Sequence, residues 1–192
     1  MILKNFEDAL PVYKTIYADP PWPYWDKRTH ASTGAVLSAY QTMELEEIKR
    51  LPVDTIAEKD ATLLLWATMP KLPEALEVIK AWGFTYKTCA FVWVKLNPRG
   101  IGIYSGLGHW TNGNVELVLL ANKGHPLRLR RDIKQVVIEP ESMPEIAVSP
   151  RQRHSEKPGI VRKRIEQLFE SPYVELFARI ITPNWDSWGN EV

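Results

Sequence analysis

The 192-residue sequence has a single cysteine, Cys89. One thiol excludes an internal disulfide framework and a cysteine-ligated metal site. It falls in a run that reads as a buried strand, which makes it a small core residue. The four histidines, His30, His109, His125 and His154, lack metal-ligand spacing, so no metal is expected. No stretch approaches the roughly 20 consecutive apolar residues of a membrane span. Residues 1–10 carry Glu7 and Asp8 and lack a signal-peptide pattern, so a cytoplasmic location is expected. No Gly-x-Gly-x-x-Gly turn opens a helix, which argues against a dinucleotide-type phosphate cradle. Repeats, low-complexity tracts and signs of a second domain are also missing.

What is present suits one enzyme-sized domain: 45% of residues are apolar, enough to supply a core at this length. Strands are predicted over 12–18, 61–68, 88–95, 115–121, 135–138, 145–148 and 173–178. Helices are predicted over 44–51, 72–82 and 158–170. In the second helix Leu72, Ala75, Leu76 and Ile79 recur at helical spacing and Gly83 follows as a stop. Strands alternating with helices predict an α/β fold with a mostly parallel sheet covered on both faces. Two irregular stretches, 25–39 and 96–114, are long enough to suggest functional loops.

The most informative segment is Asp19-Pro20-Pro21-Trp22, directly after the apolar run Thr15-Ile16-Tyr17-Ala18. A strand ending in an acid and two prolines puts a carboxylate and a rigid carbonyl at the sheet's C-terminal edge, where open α/β sheets bind ligands. That pair suits the methylation of an exocyclic amine on a nucleobase. Such an amine donates its lone pair into the ring and is a poor nucleophile. Asp19 and the Pro20 carbonyl could each accept one of its hydrogens, localise the lone pair and aim it, while Trp22 offers a flat wall to an unstacked base. The bland alternative is a tight strand-to-loop turn with a packed Trp.

The net charge of +1 hides an uneven distribution, because residues 121–164 hold 11 Lys and Arg against 5 Asp and Glu. A basic face beside a catalytic edge would fit a phosphate backbone. Arg128, Arg130 and Arg131, in a predicted loop, are candidates for it, whereas Arg162-Lys163-Arg164 reads better as a solvated helix face. The loop 96–114 is rich in glycine and carries Tyr104, His109 and Trp110, so it could move and close on a base. Eight tryptophans also invite an interface, with a possible homodimer. Trp25, Trp82, Trp110 and Trp188 are the candidates, although most tryptophans lie in cores or sites.

Several separated segments occur in a characteristic order: Ala18-Asp19-Pro20-Pro21-Trp22, Tyr40-Gln41-Thr42-Met43, Leu63-Leu64-Leu65-Trp66, Trp93-Val94-Lys95, Gly108-His109-Trp110, His154-Ser155-Glu156-Lys157-Pro158 and Asn184-Trp185-Asp186-Ser187-Trp188-Gly189-Asn190. In these, over about Tyr13 to Glu191, the chain resembles the N6-adenine methyltransferases named after the seventy-kilodalton subunit of the mRNA adenosine methyltransferase. The resemblance implies a Rossmann-like S-adenosylmethionine-dependent methyltransferase fold in a single three-layer domain. It also implies circular permutation: the strand with the catalytic motif comes first and the cofactor strand last.

By resemblance, Asp19, Pro20, Pro21 and Trp22 are catalytic. Asp19, Ser155, Lys157, Phe177, Arg179, Asn190 and Glu191 hold S-adenosylmethionine, with Lys157 meeting the cofactor's carboxylate and Glu191 the ribose. Tyr24, Tyr40, His109, Trp110 and Glu116 lie around the acceptor adenine; without the family, Tyr40 reads as a packing tyrosine. The segment after Arg179 is shorter than in the mRNA enzyme and lacks its His-Asn pair, and no family aspartate precedes the catalytic strand. The implied acceptor is adenine in DNA, favoured by a compact chain without accessory segments. The alternatives are the same reaction on RNA, an inactive nucleic-acid-binding subunit, and an amine methyltransferase acting on protein or a small molecule.

Overall fold

A computed structural model describes residues 1–6, 12–23, 42–97, 102–105, 110–138, 157–189 and 192. Among the described residues there are seven strands, β1 (Tyr13–Ala18), β2 (Ala57–Ala67), β3 (Thr85–Val94), β4 (Val115–Lys123), β5 (Val136–Ile138), β6 (Tyr173–Leu176) and β7 (Trp185–Trp188). The helices are α1 (Leu45–Arg50), α2 (Val53–Ile56), α3 (Leu72–Ala81) and α4 (Gly159–Leu168). The strands form one sheet in the order β5-β3-β4-β2-β1-β6-β7. Only β4 is antiparallel to its neighbours, β2 and β3; the other pairs are parallel. β1 lies beside β6, in fifth and sixth place of the seven, and the mixed α/β sheet is consistent with a Rossmann-like methyltransferase fold.

The central strands are apolar because both faces of the sheet are covered. Along β1 and β2 the side chains alternate between two cores with the period of two that a strand imposes. Ile16, Ala18, Leu63, Leu65 and Ala67 pack with Ile48 of α1 and Ala75, Val78 and Ile79 of α3. Tyr17, Leu64 and Trp66 face the other way, onto Val161 and Ile165 of α4. Burying each of the Leu, Ile and Val side chains contributes about 1.5–3 kcal/mol. The capping box Glu44/Glu47 starts α1, where reciprocal side-chain bonds satisfy otherwise orphaned donors. Gly83, at φ 79°, stops α3 as expected, in a conformation that a side chain disfavours.

Several boundaries differ from the predicted ones. The edges of β2 and β3 reach back to Ala57 and Thr85, over residues whose polar character hid them. The short strand β7 was not predicted: it pairs with β6 from Tyr173↔Trp185 to Leu176↔Trp188, and its aromatic–polar alternation was read only as a motif. The predicted strand 145–148 and the loop 25–39 lie outside the described residues. Cys89 is half-buried rather than a core residue, because Thr85–Thr88 of β3 run exposed before the strand turns into the core. Leu76 points outward, and Val78 takes its place on the buried stripe of α3. Among the tryptophans considered for an interface, Trp82 is fully buried and donates its indole N–H to the Ile48 carbonyl at 2.9 Å.

Candidate active site

The C-terminal ends of β1 and β6 lie where the sheet's connections diverge. After β1 the chain leads to β2 on one side, and after β6 it leads to β7 on the other. Such a point opens a crevice, and Asp19 sits at its mouth. Pro20 and Pro21 have no N–H to extend the ladder, so β1 ends there. Trp22 N–H turns back onto the Pro20 carbonyl at 2.9 Å and Met43 N–H onto the Pro21 carbonyl at 3.0 Å, while Asp19 N–H reaches the Leu176 carbonyl at 3.4 Å. The motif is thus tied to α1's entry on one side and to β6 on the other. Trp22 is buried and donates its indole N–H to the Trp66 carbonyl at 3.2 Å. Beside it opens a cavity of about 260 Å³ lined by Pro23, Glu44, Leu45, Lys71 and Glu74. A larger one, of about 550 Å³, lies by Tyr173 at the start of β6, at the opposite edge from Asp19.

Four charges alternate across the mouth. Lys157, immediately before α4, places its ammonium 2.9 Å from Asp19 Oδ2 and 3.3 Å from Glu116 Oε2. Glu116, near the start of β4, also pairs with Lys95, just past the end of β3. Because β4 runs backwards, its beginning meets the ends of β2 and β3, and Glu116 is thereby brought to this edge. Lys157 lies 5.3 Å from the centroid of the Trp66 ring and Lys95 5.1 Å from that of Trp93, distances at which a ring's quadrupole attracts a cation. Burial pushes the Asp19 carboxyl above the usual aspartate range, opposed by the Lys157 ammonium. Burial also raises Glu116, but Lys157 and Lys95 outweigh it and hold this carboxyl below its ordinary value. Burial alone would lower Lys157; the two carboxylates raise it above the ordinary lysine value.

Beneath the mouth, Arg162 forks onto Glu175 at 2.7 and 2.5 Å and lies 5.6 Å from the centre of the Tyr17 ring. Trp66 donates its indole N–H to the Tyr17 hydroxyl at 2.5 Å. On the β6 side, Phe177 follows the strand at φ 61° and packs edge-on against Trp188, centroids 5.3 Å apart. Gly189 passes so close that a Cβ there would lie 2.4 Å from the Ala178 carbonyl oxygen.

A profile of the MT-A70 family matches residues 13–191. The chain belongs to the MT-A70 family. It is 35% identical to the type II methyltransferase M.MunI of Mycoplasma sp over 94% of this chain and 78% of that protein. It is 30% identical to an MT-A70-like N(6)-adenosine-methyltransferase of Drosophila melanogaster, and 28% identical to the human N(6)-adenosine-methyltransferase catalytic subunit METTL3. In these two cases 96% and 94% of this chain match, but only 28% of the relative. As an MT-A70 chain it is a methyltransferase.

The structure brings together Asp19, Pro20, Trp22, Glu116 and Lys157 of the residues predicted for the MT-A70 site, with Phe177 at the adjoining strand end. Arg179 follows the same strand, and its charge acts on Asp19 from a distance. Tyr24, Tyr40, His109, Ser155, Asn190 and Glu191 lie outside the described residues. Trp110 is 98% exposed on the loop that leads into β4. One expectation is corrected. Arg128, Arg130 and Arg131 are not beside the catalytic edge, because β4 carries the chain away from it, and Leu129 N–H bonds the Leu168 carbonyl, at the far end of α4, at 2.8 Å. Sequence reasoning missed two contributors. Lys95 was quoted as part of a motif without a role, and its place at a strand's C-terminal end was the available signal. Trp66, which takes Trp22's indole N–H on its carbonyl and lies beside Lys157, was likewise quoted within a motif without a role.

Proposed function

We propose that the chain transfers the methyl group of S-adenosylmethionine to the N6 amine of adenine in DNA, with the target base turned out of its stack into the Asp19–Trp22 motif. The observation that carries this is the fixed pair of acceptors at the end of β1. Lys157 meets Oδ2 of Asp19 at 2.9 Å, and a carboxylate has about four lone-pair sites, which leaves acceptor capacity for an amine hydrogen. The Pro20 carbonyl keeps a second lone pair after accepting from Trp22 N–H. Together they would orient the amine for attack and stabilise the positive charge that grows on nitrogen. A strong base is unnecessary when the proton leaves after transfer.

The donor set suits the cofactor. A buried ammonium at Lys157 matches a carboxylate, and the Asp19 carboxylate matches an ammonium, so the two complement a zwitterionic amino acid end. When bound, S-adenosylmethionine supplies a methyl group activated by sulfonium. Lys157, Phe177 and Arg179 would hold it. The choice of DNA is favoured by the 35% identity to the type II methyltransferase M.MunI, of which the chain covers 78%. The METTL3-type relatives support RNA as the second reading.

The deciding experiment is methyl transfer from labelled S-adenosylmethionine to matched single- and double-stranded DNA and RNA, followed by nucleoside analysis. N6-methyladenine in DNA is expected from the wild type and is expected to be lost with Asp19→Ala. Full activity of that variant would refute the role of the carboxylate; product in RNA alone would select the second reading.

A further inference from the structure

We propose that the segment between β4 and β5 is a docking surface for the sugar–phosphate backbone of the same nucleic acid, at a distance from the base being methylated. The inference rests on the nucleic-acid reading above and adds to it the place and length of the contact.

Residues 124–135 contain no helix or strand, yet they are pinned along their length. His125 N–H donates to Asp60 Oδ1 at 2.8 Å, Leu129 N–H to the Leu168 carbonyl at 2.8 Å, and the Arg164 guanidinium to the Lys134 and Val136 carbonyls at 2.9 and 2.7 Å. The pinning leaves Arg128, Arg131 and Lys134 exposed, with Lys163 of α4 also exposed. None of these four has an ion-pair partner among the described residues.

Among the described residues the neighbouring acids are already engaged. Asp132 is forked by Arg130 at 3.0 and 2.6 Å. Glu166 accepts from the Trp185 indole at 2.8 Å, and Glu170 pairs with Lys14 at 3.0 Å. A face that serves only solubility intersperses both signs. Here the carboxylates have partners and the cations stand forward on a backbone that binding need not order, which suits a polyanion.

Position sets the footprint. Lys157, which holds Asp19, stands at the start of α4; the segment crosses the helix's other end at Leu129, beside Arg128 and Arg131, and returns along the helix to Lys134 by Arg164. Over its ten residues the helix rises about 14 Å. Phosphates follow one another every ~3.4 Å along a B-form strand. The contact therefore falls roughly four to five nucleotides from the target base, on one side of it.

The test measures binding of mixed-sequence 8- and 30-base-pair duplexes, as DNA and as RNA, across a salt series. It compares the wild type, Arg128→Gln/Arg131→Gln/Lys134→Gln, and the charge-keeping Arg128→Lys/Arg131→Lys, with thermal midpoints to confirm folding. Neutralising three phosphate contacts should make the slope of log K against log salt shallower by about 2–3. The preference for the long duplex should shrink at the same time, and the charge-keeping variant should retain both. Equal slopes for the wild type and a folded triple variant would overturn the proposal. Binding confined to RNA would support the surface and overturn the choice of DNA. A wild type that binds no duplex at any salt would remove the nucleic-acid reading itself, and this surface with it.

Discussion

Replacing Lys157 by Met removes the cation shared by Asp19 and Glu116 while keeping an unbranched stem against Trp66. The two side chains of the closest pair are only 9% and 16% exposed, so solvent screens them little. At 2.9 Å the Coulomb attraction is about 6 kcal/mol with an effective dielectric constant of ~20. Desolvation offsets part of this, and losing one partner of a buried pair costs about 3–5 kcal/mol. Glu116 keeps Lys95, so Asp19 bears most of the loss. In the variant both carboxyls move upward, because burial is no longer opposed by Lys157. The folded protein then holds protons that the unfolded chain releases at ordinary carboxylate pKa values. Stability falls with rising pH wherever the folded state binds more protons. The deficit relative to wild type should therefore be about 3–5 kcal/mol at pH 7 and clearly smaller at pH 5. Urea unfolding at the two pH values measures it. A deficit below about 1 kcal/mol at pH 7, or the same deficit at both pH values, would refute the view that Lys157 is the cation that keeps these acids ionised.

Gly189→Ala should destabilise by about 1–3 kcal/mol, the range for overpacking, and weaken S-adenosylmethionine binding. Its Cβ would land 2.4 Å from the Ala178 carbonyl and push apart the ends of β6 and β7; calorimetric titration with an unchanged dissociation constant would contradict this. Trp110→Ala should leave stability within about 0.5 kcal/mol, as surface changes do, because the ring is 98% exposed. It should nonetheless lower kcat/KM for nucleic acid at least tenfold if the ring meets a base; unchanged steady-state kinetics would exclude that contact.

The apolar runs of β1 and β2 were legible because a strand buried on both faces is apolar at nearly every residue. Asp19 was legible for a different reason: two prolines after a strand announce where it stops, and the acid just before them has to sit at the edge. Glu116 could be named but not placed, since its position depends on β4 running against the other strands, a pairing that local sequence does not encode. The same reversal misled the reading of Arg128, Arg130 and Arg131. Their charge was plain, but the direction in which β4 delivers them was not. Trp82 failed as an interface candidate because an indole with one polar atom can be buried once that N–H finds a carbonyl, here Ile48. The strand β7 is too short for periodicity to separate it from the loop around it.

The neighbours of β1 also have a consequence for synthesis. This strand leaves the ribosome before the other described strands, yet one of its edges is closed only by β6, where Thr15 meets Tyr173. At ~5–20 residues per second, this interior strand waits roughly 8–30 s with one side open. Until then Asp19 has neither the Leu176 carbonyl nor Lys157 beside it. A half-made or truncated chain therefore exposes an unpaired strand edge, a hazard for aggregation, before it can perform any chemistry.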